Sequence, residues 1–377
     1  MRKNIIIPLI IQFIATFSIV LIFPVISPYL KSIGLTFLLV GFYTGIYSLS
    51  KVISAFTTGI ISETIGSKRT IILSLIGLAF SMIFTIISTS KLMVFTSRIL
   101  HGFFEASTYS AIWILVSSTA GKMRSKGKYV GSANLVGSAA SVTASLIAGL
   151  VAVKLGLKAP FILSAVSLVF LALFTSLSFK ENFTIERKTI RFSVLRSILP
   201  YYIMFMFDWY ILFSWLTFIP LYIIDIGLNV GFIGFLIALE TAIYALMQPL
   251  IGLIYDRLGT KANILLTLAI PYALVLTLIV EARSKVIITL LFVILALVSS
   301  PLETIIYSNV TAKTSQNIKG LAIGCLFTAG YIGAFIGPLI TGILTEKYSY
   351  QKAFISLLIP ALIIAITALI SSKNERK

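Results

Sequence analysis

The feature that most constrains this chain is the length of its uninterrupted apolar runs. They come in blocks of about 20 to 26 residues, enough for a helix to cross a hydrocarbon core of roughly 30 Å. Strands of a membrane barrel would be shorter and would alternate apolar with polar positions. A soluble domain would carry charge on roughly a quarter of its residues and would gather its apolar side chains into stripes. This chain is 58% hydrophobic and only 11% charged over 377 residues. A soluble enzyme is therefore excluded. The prediction is an all-α integral membrane protein with twelve transmembrane helices, near residues 5–29, 36–61, 70–89, 92–119, 128–152, 160–179, 199–224, 231–255, 262–280, 286–311, 319–345 and 351–371.

A net charge of +18 raises the possibility of a nucleic-acid partner, but its distribution argues against one. With the N-terminus inside, about 20 of the 30 Lys and Arg fall in cytoplasmic segments. These include Lys68 and Arg69, the cluster Lys122, Arg124, Lys126 and Lys128, the stretch Lys180 to Arg196, and the tail Lys373 to Lys377. This is the positive-inside bias, and it predicts that both termini are cytoplasmic. The opening Met1, Arg2 and Lys3 imitate a secretory signal, but the following run is too long and leads into Pro24 and Pro28 without a small-residue cleavage site. Cys325 stands alone, so an internal disulfide, a multi-cysteine metal site and a paired redox centre are excluded.

The long polar connection 180–198 divides the chain into bundles 1–179 and 199–377. A shift of 193 residues superimposes the two. Tyr29, Gly34, Leu35, Gly41 and Phe42 fall on Tyr222, Gly227, Leu228, Gly234 and Phe235. Gly59, Glu63, Gly66 and Lys68 fall on Gly252, Asp256, Gly259 and Lys261, and Lys126, Gly127, Gly131, Gly137 and Gly149 on Lys319, Gly320, Gly324, Gly330 and Gly342. Between these blocks the shift is about 198, which brings Glu105, Tyr109 and Ser110 onto Glu303, Tyr307 and Ser308. Two parallel six-helix repeats are the architecture of a transporter whose site lies at the repeat interface.

On these residues the chain resembles the major facilitator superfamily (MFS). Gly252, Asp256, Arg257, Gly259 and Lys261, after helix eight, match that family's Gly-x-x-x-Asp-Arg-x-Gly-x-Lys loop. Gly59, Glu63, Gly66, Lys68 and Arg69, after helix two, make a looser copy, with Glu63 for the usual Asp and Thr64 for the usual Arg. Arg98 and Gly102 are similar to its Arg-x-x-x-Gly element. The resemblance covers the whole chain. It implies two pseudo-symmetric bundles, alternating access, and a charge latch at the two loops in which Asp256 and Glu63 hold one face closed.

Six ionisable residues lie inside the apolar spans: Lys51, Arg98, Glu105, Asp208, Glu240 and Glu303. Each charge at the bilayer centre costs about 2.5 to 3.5 kcal/mol on insertion scales, so they must pair, stay neutral or line a wet cavity. By the resemblance, helices one, four, seven and ten line the central cavity, flanked by two, five, eight and eleven. All six residues fall on those helices. Arg98, His101, Glu105 and Tyr109 recur at helical spacing as one stripe. Burial disfavours a charged Glu105 and Arg98 favours it, so Glu105 is either a proton-coupling group or half of a fixed pair. His101 either relays a proton or bonds a neighbour. Glu303, with no basic residue on its own helix at this depth, is the second proton-coupling candidate, and Asp208, placed to meet Lys51 or a substrate, is a third. Lys51, Arg98, Tyr109, Glu240, Tyr244, Gln12, Asn134, Trp215 and Tyr307 complete the candidate cavity.

No phosphate-cradling Gly-Lys-Ser loop occurs, which excludes ATP-driven transport by this chain. The function predicted is secondary active transport of a small solute, with no cofactor and a proton gradient as the driving force. It is expected to work as a monomer among lipids of the cell membrane. Four intramembrane acids against two bases favour export of lipophilic or cationic compounds by proton antiport. One feature opposes this: antiporters of the family carry a Gly-Pro element in helix five, and here Gly337 and Pro338 put it in helix eleven. The alternative is proton-coupled uptake of a sugar or other neutral metabolite.

Overall fold

The computed structural model describes residues 2–121, 126–178, 195–314 and 319–374. The basic residues Lys122 and Arg124 and most of the 180–198 connection lie outside them. Gly59 and Glu63 sit on a described helix, but their side chains are likewise outside the described set.

The described residues form twelve successive crossings, here α1 to α12. α1 runs in two pieces, Arg2–Val20 and Phe23–Ser32, followed by α2 (Phe37–Ile65), α3 (Ser67–Ile87), α4 (Lys91–Gly121), α5 (Lys126–Leu155) and α6 (Ala159–Ser178). The second set is α7 (Leu195–Asp225), α8 (Val230–Leu258), α9, α10 (Lys285–Lys313), α11 (Lys319–Lys347) and α12. α9 opens as a 3-10 helix, Gly259–Leu268, and continues as an α-helix, Ala269–Ile279. α12 is also in two pieces, Tyr350–Ile355 and Leu358–Asn374. Eleven stretches are long and apolar enough to span a membrane, and one of these, Val230–Ile279, contains both α8 and α9.

Proline accounts for the break in α1. Pro24 has no N–H to give the carbonyl of Val20, so the α-helical ladder lapses there and Val25 takes up with Ile22 at 3.1 Å. Glycine accounts for the turns: Gly66 and Gly259 have φ of 90° and 56°, a region costly for other residues. They are the repeat-equivalent glycines of the two loop motifs.

The chain packs as two compact units. One comprises Met1–Tyr29, Ile46–Glu186 and Leu228–Ala238, the other Leu30–Gly45, Arg187–Gly227 and Leu239–Lys377. In the first, the opening turns of α8 lie against α5: a Cβ on Gly234 would sit 2.4 Å from the Ser145 carbonyl oxygen. In the second, the opening turns of α2 lie against α11 in the same way, with a Cβ on Gly41 falling 2.2 Å from the Pro338 oxygen. There the Glu346 carboxylate also caps α2, accepting the Leu38 N–H at 2.7 Å. Repeat-matched glycines thus make the same backbone-to-backbone crossing in each unit, as small residues do where helices pack without a hydrophobic driving force.

Candidate functional site

In the first unit, α2 and α4 touch backbone to backbone. A Cβ on Gly102 would lie 2.1 Å from Ser50 Oγ and 2.3 Å from the Tyr47 oxygen, so only glycine lets the helices meet here. That approach brings Tyr47 and Lys51, one turn apart on α2, onto Glu105. Glu105 Oε1 accepts from Lys51 Nζ and from the Tyr47 hydroxyl, each at 2.6 Å. Its other oxygen lies 3.1 Å from His101 Nε2, too poorly aligned for a full hydrogen bond. Arg98 Nη1 is 2.8 Å from His101 Nδ1, and its guanidinium stacks over the Tyr47 ring at 3.8 Å. All five residues are buried.

These contacts assign the histidine. A guanidinium can only donate, so His101 Nδ1 accepts, and the ring proton sits on Nε2 facing Glu105. The chain therefore places one carboxylate between an ammonium and a neutral imidazole, with the guanidinium behind. The Ser54, Thr58 and Ser107 hydroxyls continue this seam, with Ser54 and Thr58 each 2.8 Å from Ser107 Oγ.

The second unit repeats the central contact of this cluster, with Glu240, Tyr244, Ala296 and Ser299 in the repeat places of Tyr47, Lys51, Arg98 and His101. Glu303 Oε2 accepts the Tyr244 hydroxyl at 2.6 Å. Glu303 is the repeat counterpart of Glu105, and Tyr244 that of Lys51. The contact is conserved in place and length, while a phenol replaces the ammonium. Asp208 and Glu240 lie within electrostatic range of Glu303. Among the described residues, Glu105 pairs with Lys51, and none of these three acids lies within ion-pair distance of a cation.

The remaining candidates separate. Trp215 is buried, its indole donating to the Tyr272 hydroxyl at 2.8 Å with Phe292 edge-on, so it packs against α9 and α10. Gln12 is buried, bonds Thr16 at 3.3 Å and leaves Oε1 without a partner. Tyr109 lies near enough to Tyr47 to interact electrostatically, and Tyr307 does so with Glu303 while 39% exposed. Asn134 is exposed. Of the loop residues, Gly252 has open space around it, Asp256, Arg257 and Lys261 are exposed, and Arg69 likewise. Lys68 donates to the Ser176 carbonyl at 2.7 Å, tying α3 to α6.

Three groups escape a sequence reading. Tyr272 lies within electrostatic range of Asp208, Glu240 and Glu303. Asn263 and Asn309 form a buried triangle with Tyr201 across α7, α9 and α10, at 2.8 to 3.1 Å. Trp209 gathers Phe205, Phe213, Phe327 and Tyr331 around its ring, centroids 5.1 to 5.8 Å apart. The two asparagines, polar within apolar runs, were the available signal for the triangle.

The Major Facilitator Superfamily model matches residues 9–229 and 198–377. An uncharacterized MFS-type transporter of Methanocaldococcus jannaschii is 24% identical over 360 residues, 92% of each chain. Multidrug resistance protein 2 of Bacillus subtilis is 27% identical over 89% of this chain and 86% of its own. Among solved structures, a bacterial homolog of the human lysosomal transporter Spinster superposes with a TM-score of 0.84 at 14% identity, covering 98% of this chain and 96% of that one. The chain belongs to the Major Facilitator Superfamily and is a multi-pass membrane transporter rather than an enzyme.

Proposed function

We propose that this transporter exports lipophilic or cationic compounds in exchange for protons, by alternating access. The observation that carries the reading is the asymmetry between repeats: Lys51 meets Glu105 where Tyr244 meets Glu303. A carboxylate already matched by an ammonium gains little from a proton and has no free charge to offer a cation. Glu303, held by a neutral hydroxyl, can alternate between a proton and a positively charged solute, with Asp208 and Glu240 adding negative potential. In this reading Glu303 carries the proton, while Glu105, Lys51, His101 and Arg98 form a fixed buried cluster. Trp209, next to Asp208 in sequence, and the four rings around it supply π-faces of the kind organic cations favour. The multidrug-resistance name of the Bacillus subtilis relative agrees with this substrate class.

The test is proton movement in proteoliposomes on addition of lipophilic cations, sugars and small carboxylates in turn. Protons moving opposite to an added cation are expected. Protons moving with a sugar would replace export with uptake.

A further inference from the structure

α3 and α9 follow repeat-matched loop motifs but are wound differently. α3 is α-helical from Ser67, the residue after Gly66. α9 opens with ten residues of 3-10 helix, Gly259–Leu268, where runs beyond about three or four residues are uncommon. Pro271 marks the end of that segment. It has no N–H for the Thr267 carbonyl and so interrupts an α-helical ladder there, whereas α3 carries no proline. The proline sets where the winding changes. It does not explain why the ten residues before it keep the 3-10 form.

The asparagine triangle supplies the reason. Asn263, inside the 3-10 segment, donates to the Tyr201 hydroxyl at 3.1 Å. Tyr201 donates to Asn309 Oδ1 at 3.1 Å, and Asn309 Nδ2 closes the ring on Asn263 Oδ1 at 2.8 Å. All three residues are buried, so opening the ring leaves amides unpaired among apolar side chains. A 3-10 helix turns about 120° per residue and an α-helix about 100°. Over the six steps from Ala269 back to Asn263, α-helical winding would swing the Asn263 side chain about 120° round the axis, away from Tyr201 and Asn309. The ring and the 3-10 form therefore require each other. The first half shows the converse. The repeat places of Tyr201, Asn263 and Asn309 are Pro8, Thr70 and Ala111, which cannot form such a ring. Thr70 instead bonds the Gly66 carbonyl of its own α-helical turn at 2.8 Å.

We propose that the start of α9 is a two-state segment, 3-10 while the ring of Asn263, Tyr201 and Asn309 is closed and α-helical when it opens. Rewinding shortens ten residues from about 20 Å to about 15 Å. It moves Gly259 about 5 Å along the helix axis relative to Ala269 and carries Asp256 and Arg257 of the loop motif with it. The ring is thus a catch on the α8–α9 loop, and it acts whichever solute is carried and whether or not protons are coupled. Spin labels at Lys261→Cys and Glu281→Cys, both exposed, bracket the segment in a Cys325→Ser background. Double electron–electron resonance in lipid nanodiscs then reads the length of α9. With the native ring the longer distance should dominate. Asn309→Leu should shift the distribution about 4 Å shorter, and so should Tyr201→Phe, which removes only one hydroxyl. Pro271→Ala should shift it the same way. A lower melting temperature with the distance unchanged in Asn309→Leu and Tyr201→Phe would overturn the proposal and make the ring a static brace. So would a native distance already at the shorter value. Should Asn309→Leu fail to fold, Tyr201→Phe alone decides between the two.

Discussion

Tyr244 donates to Glu303 at 2.6 Å, in the place and at the distance that Lys51 donates to Glu105 in the other half of the chain. The same contact thus occurs in two electrostatic versions, a charge-balanced pair and a carboxyl held by a phenol. In the proposed mechanism this difference separates the work of the two glutamates.

If Lys51 and Glu105 balance each other, removing one should cost far more than removing both. Glu105→Gln leaves Lys51 buried without its carboxylate, a loss of about 3–5 kcal/mol for a buried pair. Replacing both residues by Met should be close to neutral. Thermal unfolding of the two variants in one detergent decides the matter. Equal losses would mean that the pair is not the source of the stability.

Converting one repeat into the other gives a sharper prediction. Tyr244→Lys should place an ammonium against Glu303 and reproduce the first-half pair. The protein should fold, and proton-linked transport should fall at least tenfold. Proteoliposome transport with an imposed pH gradient measures it, and undiminished coupling would remove the argument from asymmetry.

Gly102 is the spacer that allows α2 to reach Glu105. Gly102→Val should push the helices apart and lower stability by about 1–3 kcal/mol, the usual cost of overpacking. The cross-helix bonds from Tyr47 and Lys51 would lengthen with it. An unchanged melting temperature would show that α2 and α4 have room for a side chain at this crossing.

The two loop-motif glycines should respond with opposite signs. Gly259 has φ of 56°, so Gly259→Ala should cost about 1–2 kcal/mol. Gly252 lies inside α8 with nothing within 4 Å of a new Cβ, so Gly252→Ala should gain up to about 1 kcal/mol. Melting temperatures of both variants check this.

The twelve crossings were legible because a bilayer demands apolar runs of fixed length, and the repeat because acids, glycines and lysines recur at one offset. The partner of Glu105 was less legible. Arg98, seven residues away on the same helix, is the neighbour that spacing points to, yet Lys51 from α2 makes the contact and Arg98 turns to His101. That choice depends on helix rotation and on the close approach at Gly102, which spacing along one helix cannot convey. Trp215 was legible as an aromatic on a cavity helix, but its bond to Tyr272 needed the position of α9. Pro360, midway along the predicted helix 351–371, held the signal for the break in α12.

The most direct test of the account is proton movement by Glu303→Gln in proteoliposomes carrying an internal pH dye, with tetraphenylphosphonium added outside. Wild-type protein should move protons opposite to the cation, and Glu303→Gln should move none while keeping its melting temperature. Proton exchange undiminished in Glu303→Gln would contradict the assignment of the proton to Glu303.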